Sequence, residues 1–191
     1  MTVRIGTAIR MVAVGLAFGA MSSCATLTED ECASVNWREL GRSDGAAGHP
    51  QTYVDNHRKA CSDHNLPVDE PQWSTGWQEG IRVFCTPENG LLHGREGRSY
   101  ANSCPPELKT GFEAAYQVAK RLHDARQSRD TLQRELDSLR GSLRDAEKRE
   151  DKQRLRRDID DKRSALRIAE QRVWDAEADY ELYIRTQGPA R

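Results

Sequence analysis

The sequence predicts an all-α protein: a small disulfide-stapled helical module followed by a long coiled coil that favours an antiparallel helical hairpin. Three observations predict it. Six of the seven prolines and three of the four tryptophans lie before residue 107. Four cysteines lie in the same region, after the first 31 residues. No proline occurs between Pro106 and Pro189, and 37 of the 81 residues in 107–187 are charged, a composition typical of long helices.

Composition and charge exclude several classes of protein. The chain has 191 residues, 37% of them hydrophobic and 31% charged, and its mean hydropathy is −0.82. These values exclude a polytopic membrane protein and a large multidomain enzyme. The net charge of −1 gives no overall basic surface, so we predict no nucleic-acid partner. Residues 25–105 carry 7 basic and 12 acidic side chains, whereas 107–187 carry 19 and 18, so the two halves differ in composition.

The amino terminus has the features of an export signal. Arg4 and Arg10 precede an apolar stretch at residues 11–21. At 1.5 Å per residue, this stretch covers about half of the ~30 Å hydrocarbon core of a bilayer. It is therefore too short for an ordinary membrane span, and residues 1–23 are predicted to be a signal peptide.

The end of this stretch reads MSSC at residues 21–24, which resembles the lipobox of bacterial lipoproteins. The resemblance implies that Cys24 is acylated and becomes the first mature residue, with residues 24–28 as a lipid-anchored tether. Several acyl chains anchor a protein far more firmly than one. Ala25 differs from the Asp that retains such proteins in the inner membrane, which implies the periplasmic face of the outer membrane. A secretory signal cleaved elsewhere is the alternative.

The remaining cysteines predict two disulfides. With Cys24 lipidated, an even number remains in an exported, oxidising setting: Cys32, Cys61, Cys85 and Cys104. Three connectivities are possible, and we favour the local pairs Cys32 with Cys61 and Cys85 with Cys104. An unbroken helix over 87–102 would carry Cys104 about 20 Å from Cys85. The local pairing therefore needs that helix to be short or bent.

A zinc site is an alternative use of one cysteine. His57, Cys61 and His64 follow at i, i+4 and i+7, which places them on one helical face with side chains that zinc accepts. No compact fourth ligand is evident, and exported cysteines usually oxidise. We therefore favour a solvated helix with Cys61 in a disulfide, and predict no metal site and no cofactor.

Within the module of residues 29–105, helices are predicted at 29–47, 53–64, 70–84 and 89–102. The first follows Thr28, and Glu31 three residues later completes a capping box. Three segments, 37–45, 73–80 and 92–97, share a pattern in which an apolar residue and a glycine precede an acidic residue followed directly by glycine. Glycine inside a helix costs about 1 kcal/mol, and close backbone approach is the usual reason for it. We therefore predict that small helices pack through glycine faces, with the gaps filled by Trp37, Trp73, Trp77 and Phe84.

This pattern resembles an uncharacterised family of proteobacterial lipoproteins that carry a conserved domain of unknown function. The resemblance covers about eighty residues and implies an envelope location and a disulfide-bearing module, with no activity attached. It is carried by the spacing of Trp37, Gly41, Asp44, Gly45, Gly48, Cys61, His64, Gly76, Glu79, Gly80, Cys85, Gly90, Gly94, Gly97, Tyr100, Cys104 and Pro105.

The acidic residues of the pattern favour a structural repeat over catalysis. Asp44, Glu79 and Glu96 stand in the same setting beside glycine, whereas catalytic carboxylates need dissimilar environments. No nucleophile and base pair is recognisable, so we predict no catalytic residue and no enzyme. The alternative is a peptidoglycan-binding or envelope hydrolase module in 29–105. There Trp73 or Trp77 would stack on sugar rings, and Asp44 or Glu79 would add polar contacts; burial of the tryptophans decides this point.

The second half, residues 106–187, contains two heptad seams. The first seam is Leu108, Gly111, Ala115, Val118, Leu122, Ala125, Arg129, Leu132, Leu136, Leu139, Leu143 and Ala146. The second is Leu155, Ile159, Lys162, Leu166, Ala169, Val173, Ala176, Tyr180 and Tyr183. The seams differ in phase and are separated by the polar segment 147–154. This favours an antiparallel hairpin over one continuous helix of about 120 Å, with residues 188–191 as a tail.

Together these features predict a cell-envelope lipoprotein that faces the periplasm and acts as a structural spacer or protein-interaction adaptor. Its expected partners are the membrane, through the lipid anchor, and an envelope protein or a second copy of the chain, through the coiled coil. Peptidoglycan is a further candidate partner.

Overall fold

The computed structural model describes residues 26–187, and within this range the chain forms seven α-helices, one short 3₁₀ turn at Gln51–Tyr53 and no β-strand. The predicted signal peptide, Cys24 and the predicted tail at 188–191 lie outside the described residues. Among the helices of residues 26–187, none has the length and apolar composition that a membrane crossing requires. The helices are α1 (Glu29–Ser34), α2 (Trp37–Ala46), α3 (Val54–Ser62), α4 (Glu70–Phe84), α5 (Pro87–Arg95), α6 (Pro106–Asp145) and α7 (Arg149–Gln187).

The predicted helix at 29–47 is wrong, because the chain breaks into α1 and α2. The capping box of Thr28 and Glu31 is present at the start of α1, as predicted. Val35 then adopts an extended conformation, and the Asn36 side chain accepts a hydrogen bond from the backbone N–H of Glu39 at 3.1 Å. Asn36 therefore caps a new helix, since a short polar side chain competes with continued helical bonding.

The predicted helix at 89–102 is also too long. Thr86 caps α5, which begins at Pro87 and ends at Arg95. Gly97 follows with φ of +68°, a left-handed conformation that glycine adopts without strain. The chain turns back at this point, so that Cys104 returns to Cys85.

Both local disulfides are confirmed. Cys32 joins Cys61 with the Cα atoms 5.6 Å apart, and Cys85 joins Cys104 with the Cα atoms 5.7 Å apart. The early end of α5 removes the distance that an unbroken helix would have imposed. By closure entropy, each loop contributes about 3 kcal/mol to the free energy of unfolding.

Helices α2 and α4 touch backbone to backbone. A Cβ atom added at Gly41 would lie less than 3.0 Å from the carbonyl oxygen of Trp73, and one at Gly76 would meet the carbonyl oxygen of Arg38 equally closely. Gly45 and Gly80 make the same kind of contact one turn further along. Packing through glycine faces is therefore confirmed, since no side chain larger than hydrogen fits at these positions.

Helix α5 packs on α6 in a similar way. Gly90 lies against the carbonyl oxygen of Phe112, and Gly94 against that of Tyr116 four residues later. The two helices therefore run in the same direction. The first turns of α6 are part of the module core, because Phe112 is fully buried among the aromatic residues of α4: Trp73, Trp77 and Phe84.

Helices α6 and α7 form an antiparallel hairpin, as predicted. Ion pairs cross it from Arg126 to Glu177 and from Lys162 to Glu135, both at 2.7 Å. Every residue of the two predicted seams is buried or half-buried except Gly111. The chain turns at residues 146–148 and α7 begins at Arg149, so the predicted polar segment 147–154 supplies part of the turn and the first helical residues.

The glycine contacts predict opposite effects of one substitution at two positions. In Gly76→Ala, the added methyl group would overlap the backbone of α2, so we expect the free energy of unfolding to fall by about 3 kcal/mol. In Gly141→Ala, the nearest atom to the new Cβ lies 3.7 Å away, on Arg144. Because alanine favours helix, we expect a gain of about 0.5 to 1 kcal/mol. Urea unfolding of the full chain, followed by circular dichroism, measures both changes. Equal effects at the two positions would contradict the close backbone contact at Gly76.

Candidate functional site

A buried polar network joins three helices and the segment that precedes them. Asp44 lies on α2, His57 on α3 and Trp73 on α4. The Asp44 carboxylate oxygen Oδ2 accepts a hydrogen bond from Trp73 Nε1 at 2.8 Å and lies 2.8 Å from His57 Nε2. The other ring nitrogen, His57 Nδ1, lies 3.0 Å from the Thr26 hydroxyl. One carboxylate therefore fixes the relative positions of all three helices.

Thr26, His57 and Asp44 follow one another in the order of a catalytic triad, in which a hydroxyl nucleophile is activated by an imidazole base that a carboxylate orients. Here both nitrogens of His57 are already engaged, by Thr26 and Asp44, and the residue is only 2% exposed. The same Asp44 oxygen also holds the indole of Trp73. The arrangement satisfies buried polar groups and offers no open position beside the imidazole for a substrate.

The three residues of the alternative zinc site do not come together. Cys61 is consumed by its disulfide with Cys32, and His57 faces Asp44. His64 lies instead beside Glu29, with Nδ1 3.4 Å from the carboxylate. Across residues 26–187, no group of three histidine, cysteine or acidic side chains is arranged to hold a metal ion.

The alternative in which Trp73 or Trp77 stacks on sugar rings does not agree with the burial of the two rings. Trp73 is 1% exposed and Trp77 is 5% exposed, and the two rings pack on each other with centroids 6.4 Å apart. The Nε1 of Trp77 donates to the carbonyl oxygen of His49 at 2.8 Å. Both indoles fill the core that the glycine contacts leave between the helices, so neither ring face is open to a ligand.

The two predicted polar contacts also lie apart. Asp44 is buried in the network, whereas Glu79 is exposed and forms an ion pair with Arg38. The four residues of the alternative ligand site therefore do not come together. Asp44 and Trp73 belong to the buried network, Trp77 lies elsewhere in the core, and Glu79 lies on the surface.

The described part of the predicted tether is fixed to the module. Leu27 is buried against the disulfide of Cys32 and Cys61. Thr26 bonds His57, and Thr28 caps α1. Residues 26–28 therefore form part of the fold.

A half-buried histidine lies near the base of the hairpin. His93, on α5, contacts Phe84 edge to face with the ring centroids 4.9 Å apart. Its Nδ1 is buried and has no hydrogen-bond partner among the described residues. Burial lowers the pKa of His93, the nearby positive charge of Arg98 lowers it further, and Glu96 acts in the opposite direction.

The outer surface of α7 carries large apolar side chains. Trp174 is 73% exposed, Ile168 is 56% exposed and Leu182 is 55% exposed. None of the three belongs to a predicted seam. The exposure of Trp174 could have been predicted from the heptad pattern. Trp174 directly follows the seam residue Val173 and therefore lies off the buried face.

Grooves line both faces of the hairpin in the part next to the module. The module-side groove continues beyond the end of α5, has a volume of about 800 Å³ and is lined by Arg95, Leu122, Arg126, Arg134, Glu177 and Tyr180, among others. The free-side groove consists of two adjoining pockets of about 440 and 370 Å³ that share Arg121 and Asp179. It lies on the other face of α6, since Gln117, Arg121 and Asp124 are half a helical turn from the residues that contact α5.

Fold and surface together define a small disulfide-linked helical domain that carries a projecting antiparallel hairpin. Residues 36–121 match the family model described as "Protein of unknown function (DUF2799)". The match includes the first four turns of α6, which pack on α5 and complete the core. No curated protein and no solved structure matches the chain.

The network predicts that two acidic residues with the same sequence setting differ in importance. Asp44→Ala removes the acceptor for His57 and Trp73 in the core, so we expect the free energy of unfolding to fall by about 3 to 5 kcal/mol. Glu79 also directly precedes a glycine that contacts another helix, but Glu79→Ala removes only an exposed ion pair. We therefore expect the free energy of unfolding to change by less than about 1 kcal/mol. Chemical unfolding of both full-length variants measures the difference. Similar losses would show that the buried network does not hold the helices.

His93 predicts a pH dependence of stability. Because the folded state lowers its pKa, the unfolded chain takes up the proton first as the pH falls below about 6.5. The contribution of neutral His93 is therefore complete above that pH and declines as the pH falls toward the lowered folded-state pKa. We expect His93→Gln to flatten the fall in unfolding free energy between pH 7 and pH 5. A curve for His93→Gln that parallels the original would contradict this.

Proposed function

We propose that the protein is a lipid-anchored lipoprotein of the cell envelope, on the periplasmic face of the outer membrane, that presents its hairpin to an envelope protein. In this role it acts as an adaptor that also sets a distance from the membrane. The observation that carries the proposal is a hairpin that extends well past the module and bears an exposed tryptophan.

The length of the hairpin supports the spacer role. Helix α6 packs on α5 as far as Ala119, and Gly97 contacts His123. Helix α6 then continues to Asp145, 22 residues further, paired with α7. At 1.5 Å per residue this part extends about 33 Å. Seam residues such as Leu136 and Ile159 are buried between the two helices, so the extension has its own core.

The amino-terminal docking supports a rigid connection to the membrane. In the proposed mature protein, only Ala25 separates the lipidated Cys24 from Thr26, which bonds His57. Leu27 is buried against the first disulfide. With no long linker in between, the lipid anchor would fix the module close to the bilayer and thereby set the height of the hairpin.

The surface of α7 supports the adaptor role. Trp174, Glu177 and Glu181 follow at i, i+3 and i+7, so they share one side of the helix, and the two glutamates line the module-side groove. Exposed tryptophan and arginine are the residue types that dominate the energy of protein interfaces. Arg95 and Arg134 lie in the same groove. This side of the hairpin therefore combines an aromatic anchor with charged positions for a protein partner.

The alternative of a sugar-binding or hydrolytic module loses its main support. It depended on open indole faces at Trp73 and Trp77, and both rings are buried. The proposal therefore includes no catalytic step and no cofactor.

Photo-cross-linking in living cells tests the proposal. A benzophenone amino acid is placed in the full-length chain at Trp174, at Arg167 seven residues earlier on the same side of α7, and at Val83 as a control. Val83 is 65% exposed on α4, so it is a matched apolar position on the module. We expect a discrete adduct with another envelope protein from Trp174 and Arg167 and none from Val83. No adduct from either hairpin position, or equal adducts from Val83, would overturn the adaptor role.

The same cells test the anchor. We expect the original chain to incorporate an alkyne-labelled fatty acid and to fractionate with the outer membrane, and Cys24→Ala to do neither. Labelling that persists in Cys24→Ala would contradict the lipoprotein assignment.

A further inference from the structure

We infer that the free-side groove is the docking surface for a second copy of this chain, with the two hairpins packed side by side in the same direction. This inference deepens the proposed function, on which it rests, by naming a partner of the hairpin. It concerns the face of the hairpin away from the module and is separate from the Trp174 side.

Two exposed apolar residues mark this face. Ile168 and Leu182 are each more than half exposed, and they are 14 residues apart, which is two heptads. They therefore lie on the same side of α7. Leu182 lines the free-side groove at one end. At the other end the groove is lined by Arg172 and Asp175, which follow Ile168 at i+4 and i+7 and therefore share its side of α7. One large exposed apolar side chain thus lines the groove and a second lies one turn beyond its other end, a pattern typical of an interaction surface.

The groove is accessible along its length. Helix α5 contacts α6 through Phe112, Ala115, Tyr116 and Ala119, whereas the groove is lined by Gln117, Arg121 and Asp124 on the other face of α6. The module therefore lies behind the hairpin, and a second hairpin meets only α6 and α7. Two hairpins packed in this way form a four-helix bundle, a common arrangement for helices that bury one shared core.

The charges of this face complement themselves. Arg121 and Asp179 face each other across the groove within one chain at 3.8 Å, and both side chains are more than half exposed. A two-fold axis parallel to the helices places α6 of one copy against α7 of the other at the same height. Arg121 of each copy then faces the partner's Asp179, and this contact occurs twice, as in an isologous interface. An axis perpendicular to the helices would place α6 against α6 and would not bring these opposite charges together.

The parallel arrangement also agrees with a lipid anchor. Both amino termini lie at the same end of the bundle, as insertion into one membrane requires. Confinement to that membrane raises the effective concentration of the two copies, so a weak interface suffices.

Co-purification of two differently tagged full-length copies, expressed together and extracted in mild detergent, tests the dimer. We expect the Ile168→Asp and Leu182→Asp double variant to reduce co-purification at least tenfold. The matched control is Trp174→Asp, which changes a still more exposed apolar residue on the other side of α7 and should retain co-purification. All of these positions are exposed, and circular dichroism checks that the variants are folded. No loss in the double variant, or an equal loss in Trp174→Asp, would overturn the inference.

A charge swap separates contacts between copies from contacts within one copy. Arg121→Asp alone places like charges opposite each other in its own dimer, and so does Asp179→Arg. When one copy carries Arg121→Asp and the other carries Asp179→Arg, both contacts between copies are restored while the contact within each chain stays broken. We expect this mixed pair to co-purify several-fold better than either variant with itself, with the difference shrinking at high salt. A mixed pair no better than the single variants would overturn the arrangement.

The outcome distinguishes this inference from the proposed function. Photo-adducts at Trp174 test the adaptor, and co-purification tests the dimer. Adducts that persist without co-purification overturn the dimer alone.

Discussion

The contact between α2 and α4 is the constraint on which the rest of the structure depends. Four glycines let the two backbones touch, and this brings a carbonyl oxygen of one helix against the Cα of the other. The close approach places the Trp73 indole within hydrogen-bond distance of Asp44, which in turn holds His57. His57 then binds Thr26. A backbone contact thus determines where the chain enters the module after its proposed lipid anchor.

Close packing through glycine also joins the module to the hairpin. Glycines of α5 bring it against α6, and the aromatic rings of Phe84 and Phe112, 5.1 Å apart between centroids, join α4 to α6. The base of the hairpin is thereby part of the domain core, while its outer part depends on its own seam. This division lets the module fix the position of the hairpin, and it leaves two of the hairpin's faces open for the contacts proposed above.

The features that could be predicted are those whose cause lies in repeated spacing or in the chemistry of one residue type. Cysteine number gave two disulfides, heptad phase gave the hairpin, and paired glycines gave close helix packing. The break at Asn36 depends on a side chain that caps the next helix, a local competition that an apolar pattern does not reveal. The burial of Trp73 depends on a partner 29 residues away, and a tryptophan in a core and one at a ligand site look alike in sequence.

Native-state hydrogen exchange of the full chain, measured for each amide, tests the central claim most directly. If close glycine contacts make α2 and α4 one cooperative unit, their most protected amides exchange with a single free energy equal to that of global unfolding. Gly80→Ala then lowers protection in both helices together, while amides near the hairpin tip change little. Amides of α2 that keep their protection when α4 loses its own would contradict the account.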